Sequence, residues 1–198
     1  PVDPWEEAPG ITAQEAGIVR SQIDRNLNTP LTSAAGRLFD AVAALAGVRQ
    51  HVSYEAQAAI ELEMMASGWQ DGRQSADKTR PYPFQMEAEE AGTVIGLREL
   101  IGAIRSDLEM GRSQAEIGWR FHLTMAQMIA TVCQQIAKES GLRTVALSGG
   151  CFQNRLLLGM AVQRLEQAGF TALLHRRVPC NDGGISLGQV ALARAEAE

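Results

Sequence analysis

Apolar residues recur at helical spacing through the first half of the chain and gather into short runs near its end. Ile18, Val19, Ile23 and Leu27 share one face of a helix over residues 12–26, and Thr12 with Glu15 has the spacing of a capping box. Asn28, Thr29 and Pro30 interrupt that pattern. A second helix is predicted from a cap at Thr32 or Ser33 to Leu45, and a third from Tyr54 or Glu55 to Ala66. Residues 67–83 are polar and hold Gly68, Gly72, Pro81 and Pro83, which predicts a linker or long loop. One short strand is expected within 83–94, then a helix over 97–110. Ser113 and Glu116 form a second capping box, opening a long helix that Gly141 stops. Beyond it the pattern reads strand (Thr144–Leu147), helix (152–168), strand (Thr171–Leu174), loop, helix (184–195). Strands alternating with helices predict an α/β fold with a partly parallel sheet. The expected organisation is a helical part over 1–80, opening on an irregular lead-in at 1–10, and an α/β lobe over 81–198. Met64, Met65, Met125 and Met128 are expected in the core.

Composition narrows the class. The 198 residues suit one domain or two small lobes, and 45% hydrophobic with 21% charged residues is ordinary for a globular protein. A net charge of −5 argues against a nucleic-acid surface. No apolar run approaches the roughly 20 residues of a membrane span. The opening residues carry no signal-peptide pattern. Cys133, Cys151 and Cys180 form no CxxC, which points to reduced thiols in the cytoplasm.

The candidate chemistry lies at two glycine doublets. Ser148-Gly149-Gly150-Cys151-Phe152-Gln153-Asn154 follows the first late strand, and Asn181-Asp182-Gly183-Gly184 follows the second. Each stands where a strand turns into a helix. Glycine lets a backbone approach a ligand, and a helix N-terminus offers N–H groups to an anion. Asn154 suits a ribose or phosphate, or a local helix cap. Asp182 suits a hard cation, or simple N-capping. Adjacent C-terminal strand ends are where α/β sheets bind ligands. Gly36 and Asp40 share a helix face, as fits either a sugar edge or close helix packing beside a solvated carboxylate. Arg37 could reach a phosphate or stay a surface charge. Glu55 and Gln57 are further candidates, and Glu55 could also serve only the helix dipole. His51, His122 and His175 lack any local metal-pair spacing, and His122 reads as a hydrogen-bonded structural residue.

Taken together, four ordered segments resemble a known family. They are Leu147-Ser148-Gly149-Gly150-Cys151-Phe152-Gln153-Asn154-Arg155-Leu156-Leu157, Val178-Pro179-Cys180-Asn181-Asp182-Gly183-Gly184-Ile185-Ser186-Leu187-Gly188-Gln189, Gly36-Arg37-Leu38-Phe39-Asp40, and residues 54–63. They resemble the C-terminal carbamoyltransferase region of HypF, the hydrogenase maturation proteins. The resemblance implies the second lobe of an actin/Hsp70-like, RNase H-like domain related to the tRNA threonylcarbamoyl-transferring enzymes. It implies ATP and carbamoyl phosphate as substrates, carbamoyl-adenylate as intermediate, and the C-terminal cysteine of the partner HypE as acceptor. Gly36, Asp40, Gly149, Gly150 and Asn154 would meet the nucleotide, and Asp182 would bind a divalent metal. Ala56 stands where the family usually has glycine, and Ala34 where serine is common. The family's His-x-x-x-His metal pair is not in this sequence, so the resemblance covers the later half of the transferase domain. The competing expectations are a non-catalytic adenine-nucleotide-binding module, and carbamoyl transfer to a tRNA or sugar hydroxyl.

Overall fold

A computed structural model describes residues 11–69, 80–89 and 92–197. The lead-in expected over 1–10 and most of the polar loop expected over 67–83 lie outside those residues. Seven helices and four strands are described: α1 (Ala13–Asp24), α2 (Ala35–Leu45), α3 (Gln57–Ser67), β1 (Gln85–Glu89), β2 (Gly92–Gly96), α4 (Arg98–Glu109), α5 (Gln114–Ser140), β3 (Thr144–Leu147), α6 (Arg155–Gln167), β4 (Thr171–Leu174) and α7 (Ile185–Ala197).

The predicted capping box is complete at Thr12, while at Ser113 only its first half forms, because the Glu116 carboxylate pairs with Arg112. Thr12 Oγ1 accepts the Glu15 N–H at 3.3 Å while Glu15 Oε2 accepts the Thr12 N–H at 2.8 Å. Ser113 Oγ accepts the Glu116 N–H at 3.2 Å, and Gly141 ends α5 with φ of 72°. Two boundaries differ from the sequence reading. Thr32 accepts the Ala34 N–H instead of capping α2, so the helix starts at Ala35 with no side-chain cap. Ala56 precedes α3 at φ 60°, ψ 10°, a left-handed conformation that costs an L-residue roughly 1–2 kcal/mol. Glycine would adopt it freely. A third difference is that the single strand expected within 83–94 is half of an antiparallel hairpin. Gln85 pairs with Gly96 and Glu89 with Gly92.

Helix α5 is the spine, because both of its long faces are buried. One face sends Ile117, Phe121, Met125 and Met128 into a core shared with Phe39, Val42, Leu62, Leu100, Ile104 and Leu157. The other sends Leu123, Ala126, Ala130 and Ala137 against Leu147, Met160, Leu165 and Phe170. Gly118 sets the distance to α3: a Cβ there would lie 3.1 Å from Leu62 Cδ1 and 3.2 Å from Ala66 Cβ. Met125 and Met128 are core as expected, but Met64 is exposed, because it lies on the side of α3 opposite Leu62. The apolar stripe of α1 also remains partly in solvent, with Ile18 53% and Ile23 45% exposed.

A buried polar knot ties α4 to α5. Asp107 Oδ2 accepts from the Tyr82 hydroxyl at 2.7 Å and from Arg120 Nη1, and Arg112 pairs with Oδ1 at 3.1 Å. The Tyr82 N–H donates to Thr124 Oγ1 at 2.7 Å, and the Arg120 guanidinium lies 4.2 Å from the Tyr82 ring centre. Burial first, and the Asp107 acceptor second, push the Tyr82 phenol far above its ordinary pKa.

At the far end, β3 and β4 pair in parallel, Thr144 with Thr171 through Leu147 with Leu174, and α6 is the crossover between them. That puts both C-terminal strand ends on one edge, with both glycine loops leaving from it.

Candidate functional site

The loop after β3 runs through Gly149 into a 3₁₀ turn, Gly150–Gln153, before α6 starts at Arg155. The helix thus begins three residues later than the sequence pattern predicts. Gly149 sits at φ 106°, ψ 157°, a region open to glycine alone. Its N–H donates to the Cys180 carbonyl at 2.7 Å, which ties the first glycine loop to the second. In the second loop a 3₁₀ turn, Asp182–Gly184, precedes α7. Gly184 is required by crowding, since a Cβ there would lie 2.8 Å from the Pro179 carbonyl. Two of the doublet glycines therefore build the loops themselves.

Gly36 behaves differently. A Cβ built there would meet only Cys151 Sγ, at 3.9 Å, which is ordinary contact. Helix packing does not demand glycine at this position. The space beside it belongs to a cavity of about 660 Å³. Gly36, Phe39 and Asp40 of α2 form one wall; Ala59, Ile60 and Glu63 of α3, with Glu55 and Ala56 before it, form the next. Gly150, Cys151 and Asn154 close the third side, and Asn181 with Asp182 the fourth. Residues up to 146 positions apart in sequence, Gly36 and Asp182, thus face one space. Gly149 is not among the lining residues; it shapes the loop that presents Gly150.

Each polar side chain has a definable state. Asp40, half-buried, pairs at 2.9 Å with Arg37, one turn back on α2, which stays a surface charge. Asn154 is the N-cap of α6: its Oδ1 accepts the Leu157 N–H at 2.8 Å, while its Nδ2 lies 2.8 Å from His122 Nε2. It is both the local cap and a cavity residue. In the second loop the capping task falls to Asn181, whose Oδ1 accepts the Gly183 N–H at 3.1 Å. Asp182 is exposed and is not the cap. Burial raises the Cys151 thiol pKa, and the Asp40 charge adds to it, which disfavours a thiolate.

One expectation is overturned. The start of α6 does not present free N–H groups to an anion. Glu63 Oε1 accepts the Arg155 N–H at 2.7 Å and the Leu156 N–H at 3.3 Å, and Asn154 takes the next. A carboxylate from α3 already fills the seat that the helix dipole favours for a negative group. Glu63 was visible in the sequence as part of the 54–63 segment, but nothing local says that it reaches α6.

Gln57 is also accounted for within the protein. Its Oε1 accepts the Ser53 N–H at 2.7 Å, and its Nε2 donates to Glu61 at 2.9 Å. Glu61 in turn receives both Arg49 donors at 2.7 Å. These bonds brace the segment that carries Glu55 to the cavity.

This chain's described residues do not by themselves make a complete divalent-metal site. Among the described residues no group of three or more histidines, cysteines, aspartates or glutamates could hold an ion. Asp182 offers one carboxylate where such ions take four or more ligands.

Comparison with known proteins places the chain. It belongs to the carbamoyltransferases with a Kae1-like domain: the model for the second subdomain of that domain ("Carbamoyltransferase, Kae1-like Domain, second subdomain") matches residues 2–189. Within that class the likeness is to HypF. "Carbamoyltransferase HypF2" of Cupriavidus necator is 34% identical over 213 residues, covering 96% of this chain and 26% of the relative. "Carbamoyltransferase HypF" of Synechocystis sp. is 39% identical over 170 residues, 85% of this chain and 20% of the relative. The crystal structure of full-length HypF in the phosphate- and nucleotide-bound form superposes with a TM-score of 0.84 at 39% identity, over 95% of this chain and 24% of that one. The fold is accordingly that of an α/β second lobe, and the chain spans about a quarter or less of the length of these three relatives. Among the described residues, no helix is long and apolar enough to cross a membrane.

Proposed function

We propose that this chain forms the nucleoside-binding wall of a HypF-type carbamoyltransferase acting in the cytoplasm. The observation that carries the reading is the convergence of Gly36, Asp40, Gly150, Asn154 and Asp182 on one cavity. The chemistry of that cavity supports a particular orientation of ligand. Asp40, Glu55, Glu63 and Asp182 line it, with Arg37 as the cation beside Asp40. Carboxylates accept hydrogen bonds from hydroxyls and amines and repel phosphate. The ribose and base of an adenylate therefore lie against α2 and α3, where the glycine at position 36 leaves room. The phosphate lies toward Asp182, where a divalent metal completed by ligands from the first subdomain would offset its charge.

In the whole enzyme, ATP and carbamoyl phosphate supply carbamoyl-adenylate. The thiol of the HypE C-terminal cysteine attacks the carbamoyl carbon. An S–C bond forms, the C–O bond to AMP breaks, and the thiol proton leaves. This chain contributes binding and orientation to that step, by holding the leaving nucleotide at its sugar.

The test is reconstitution. The chain is co-expressed with a first subdomain that carries the His-x-x-x-His pair, carbamoyl-adenylate is supplied as the donor, and carbamoyl transfer to a peptide ending in cysteine is assayed. Turnover is expected, and Asp182→Ala should lower it by about 10- to 100-fold. Tight assembly without turnover would favour a nucleotide-binding module instead. Transfer to a tRNA or sugar hydroxyl but not to the thiol would move the acceptor.

A further inference from the structure

His122 lies in the middle of α5, fully buried, and no part of the proposed transfer uses it. Its Nδ1 is 2.7 Å from the Gly118 carbonyl oxygen. A carbonyl can only accept, so Nδ1 carries the hydrogen. Burial pushes the ring's pKa down to about 4, so it is neutral near pH 7 and Nε2 is a bare acceptor. The atom facing it, at 2.8 Å, is then the amide nitrogen of Asn154. On the other side of the same amide, the Leu157 N–H at 2.8 Å requires an oxygen. The two ends agree, and the amide has one orientation. Nδ2 carries two hydrogens, and the bond to His122 uses one of them. The same imidazole packs edge-on against Phe39, with ring centres 5.2 Å apart, and Phe39 stands between Gly36 and Asp40 on α2. One buried ring thus touches both the wall that carries Asp40 and the residue that caps α6.

We propose that His122 is a positioning residue for the nucleotide site: it fixes the Asn154 amide so that its second N–H is held ready for the ligand. The proposal rests on the reading that Asn154 meets the nucleotide. A flipped amide would turn its oxygen toward the Nε2 lone pair and its NH₂ toward the Leu157 N–H. Both contacts would become repulsive, and the ligand would meet no fixed donor.

The test is AMP affinity, measured by titration calorimetry on the chain assembled with its first subdomain, with thermal unfolding recorded alongside. His122→Leu should weaken AMP binding about tenfold, the size of one lost hydrogen bond. His122→Gln places an acceptor oxygen near Nε2 and should stay within about threefold of wild type. Asn154→Ala should also weaken binding about tenfold, and adding His122→Leu to it should cause no further loss. Equal weakening by Gln and Leu, or an additive loss in the double variant, would overturn the positioning role. Unchanged affinity in Asn154→Ala would remove Asn154 from the nucleotide site and this proposal with it. Weakening by Asn154→Ala with none by His122→Leu would remove the proposal alone. Should His122→Leu fail to fold, ¹⁵N spectra of the wild-type imidazole decide. Hydrogen on Nδ1 and a bare Nε2 are required, and hydrogen on Nε2 refutes the proposal.

Discussion

Replacing Asp107 with asparagine is expected to lower the unfolding free energy by about 3–5 kcal/mol. Asp107 is 4% exposed, accepts hydrogen bonds from the Tyr82 hydroxyl and Arg120, and forms an ion pair with Arg112. Asparagine keeps the size and removes the charge. Arg120, 9% exposed, then loses the Asp107 counter-charge of its buried guanidinium. The loss is dominated by that stranded charge, because a paired buried ion contributes little net stability while an unpaired one is costly. Chemical denaturation reads the effect. As a comparison, Glu109→Gln breaks an exposed pair with Arg105 and should change stability by no more than about 0.5 kcal/mol. Equal shifts in the two variants would show that the Asp107 knot behaves like a surface pair.

Acid should destabilise the protein through His122 in particular. Burial lowers its folded pKa to about 4, against the ordinary 6.5. Between those values the unfolded chain binds a proton that the folded chain refuses. The His122 contribution to stability therefore falls as pH drops through 6.5 and levels off near 4. That difference corresponds to about 3 kcal/mol between pH 7 and pH 4. The groups around the ring, Phe39, Phe121, the Gly118 carbonyl and Asn154, do not titrate in that range, so the loss belongs to this residue. His122→Gln removes the titration and should flatten the curve by that amount relative to wild type. A parallel pair of pH–stability curves would contradict a buried neutral imidazole.

How much of this could be read in the sequence depends on the range of each interaction. Thr12 with Glu15 and Ser113 with Gly141 were legible because a cap is decided within one turn. The late strands and the long helix were legible because their patterns run unbroken. The pairing of β1 with β2 was not, since Pro83 and the sparse apolar positions blur its period. Ala34 at the start of α2 and the left-handed Ala56 before α3 break local rules, so capping logic placed both boundaries a few residues early. At the site, the glycine and aspartate positions were visible as local exceptions, a glycine in a helix and doublets at strand ends. Their assembly into one cavity required the fold. Glu63 escaped because its partners, Arg155 and Leu156, are more than 90 residues away. His122 read as structural, which its burial supports, but its link to Asn154 joins α5 to α6 and has no sequence spacing. Residue type alone points Met64 to the core, whereas its face of α3 leaves it exposed.

The filled N-terminus of α6 changes what the glycine doublets mean. They lead a backbone up to a cavity, but the anion seat behind Gly150 is occupied by Glu63, and the wall that remains is acidic. Such a wall suits a sugar and a base better than a triphosphate.

Calorimetry of AMP binding to the assembled protein, wild type against Asp40→Ala, tests that account most directly. Asp40 lines the cavity and its nearest charge is Arg37 on the same helix, so alanine should leave the fold and melting temperature nearly unchanged. AMP binding should weaken about tenfold or more, the worth of hydroxyl hydrogen bonds to a charged acceptor. Unchanged AMP affinity in a folded Asp40→Ala protein would contradict the assignment of this cavity to the nucleoside.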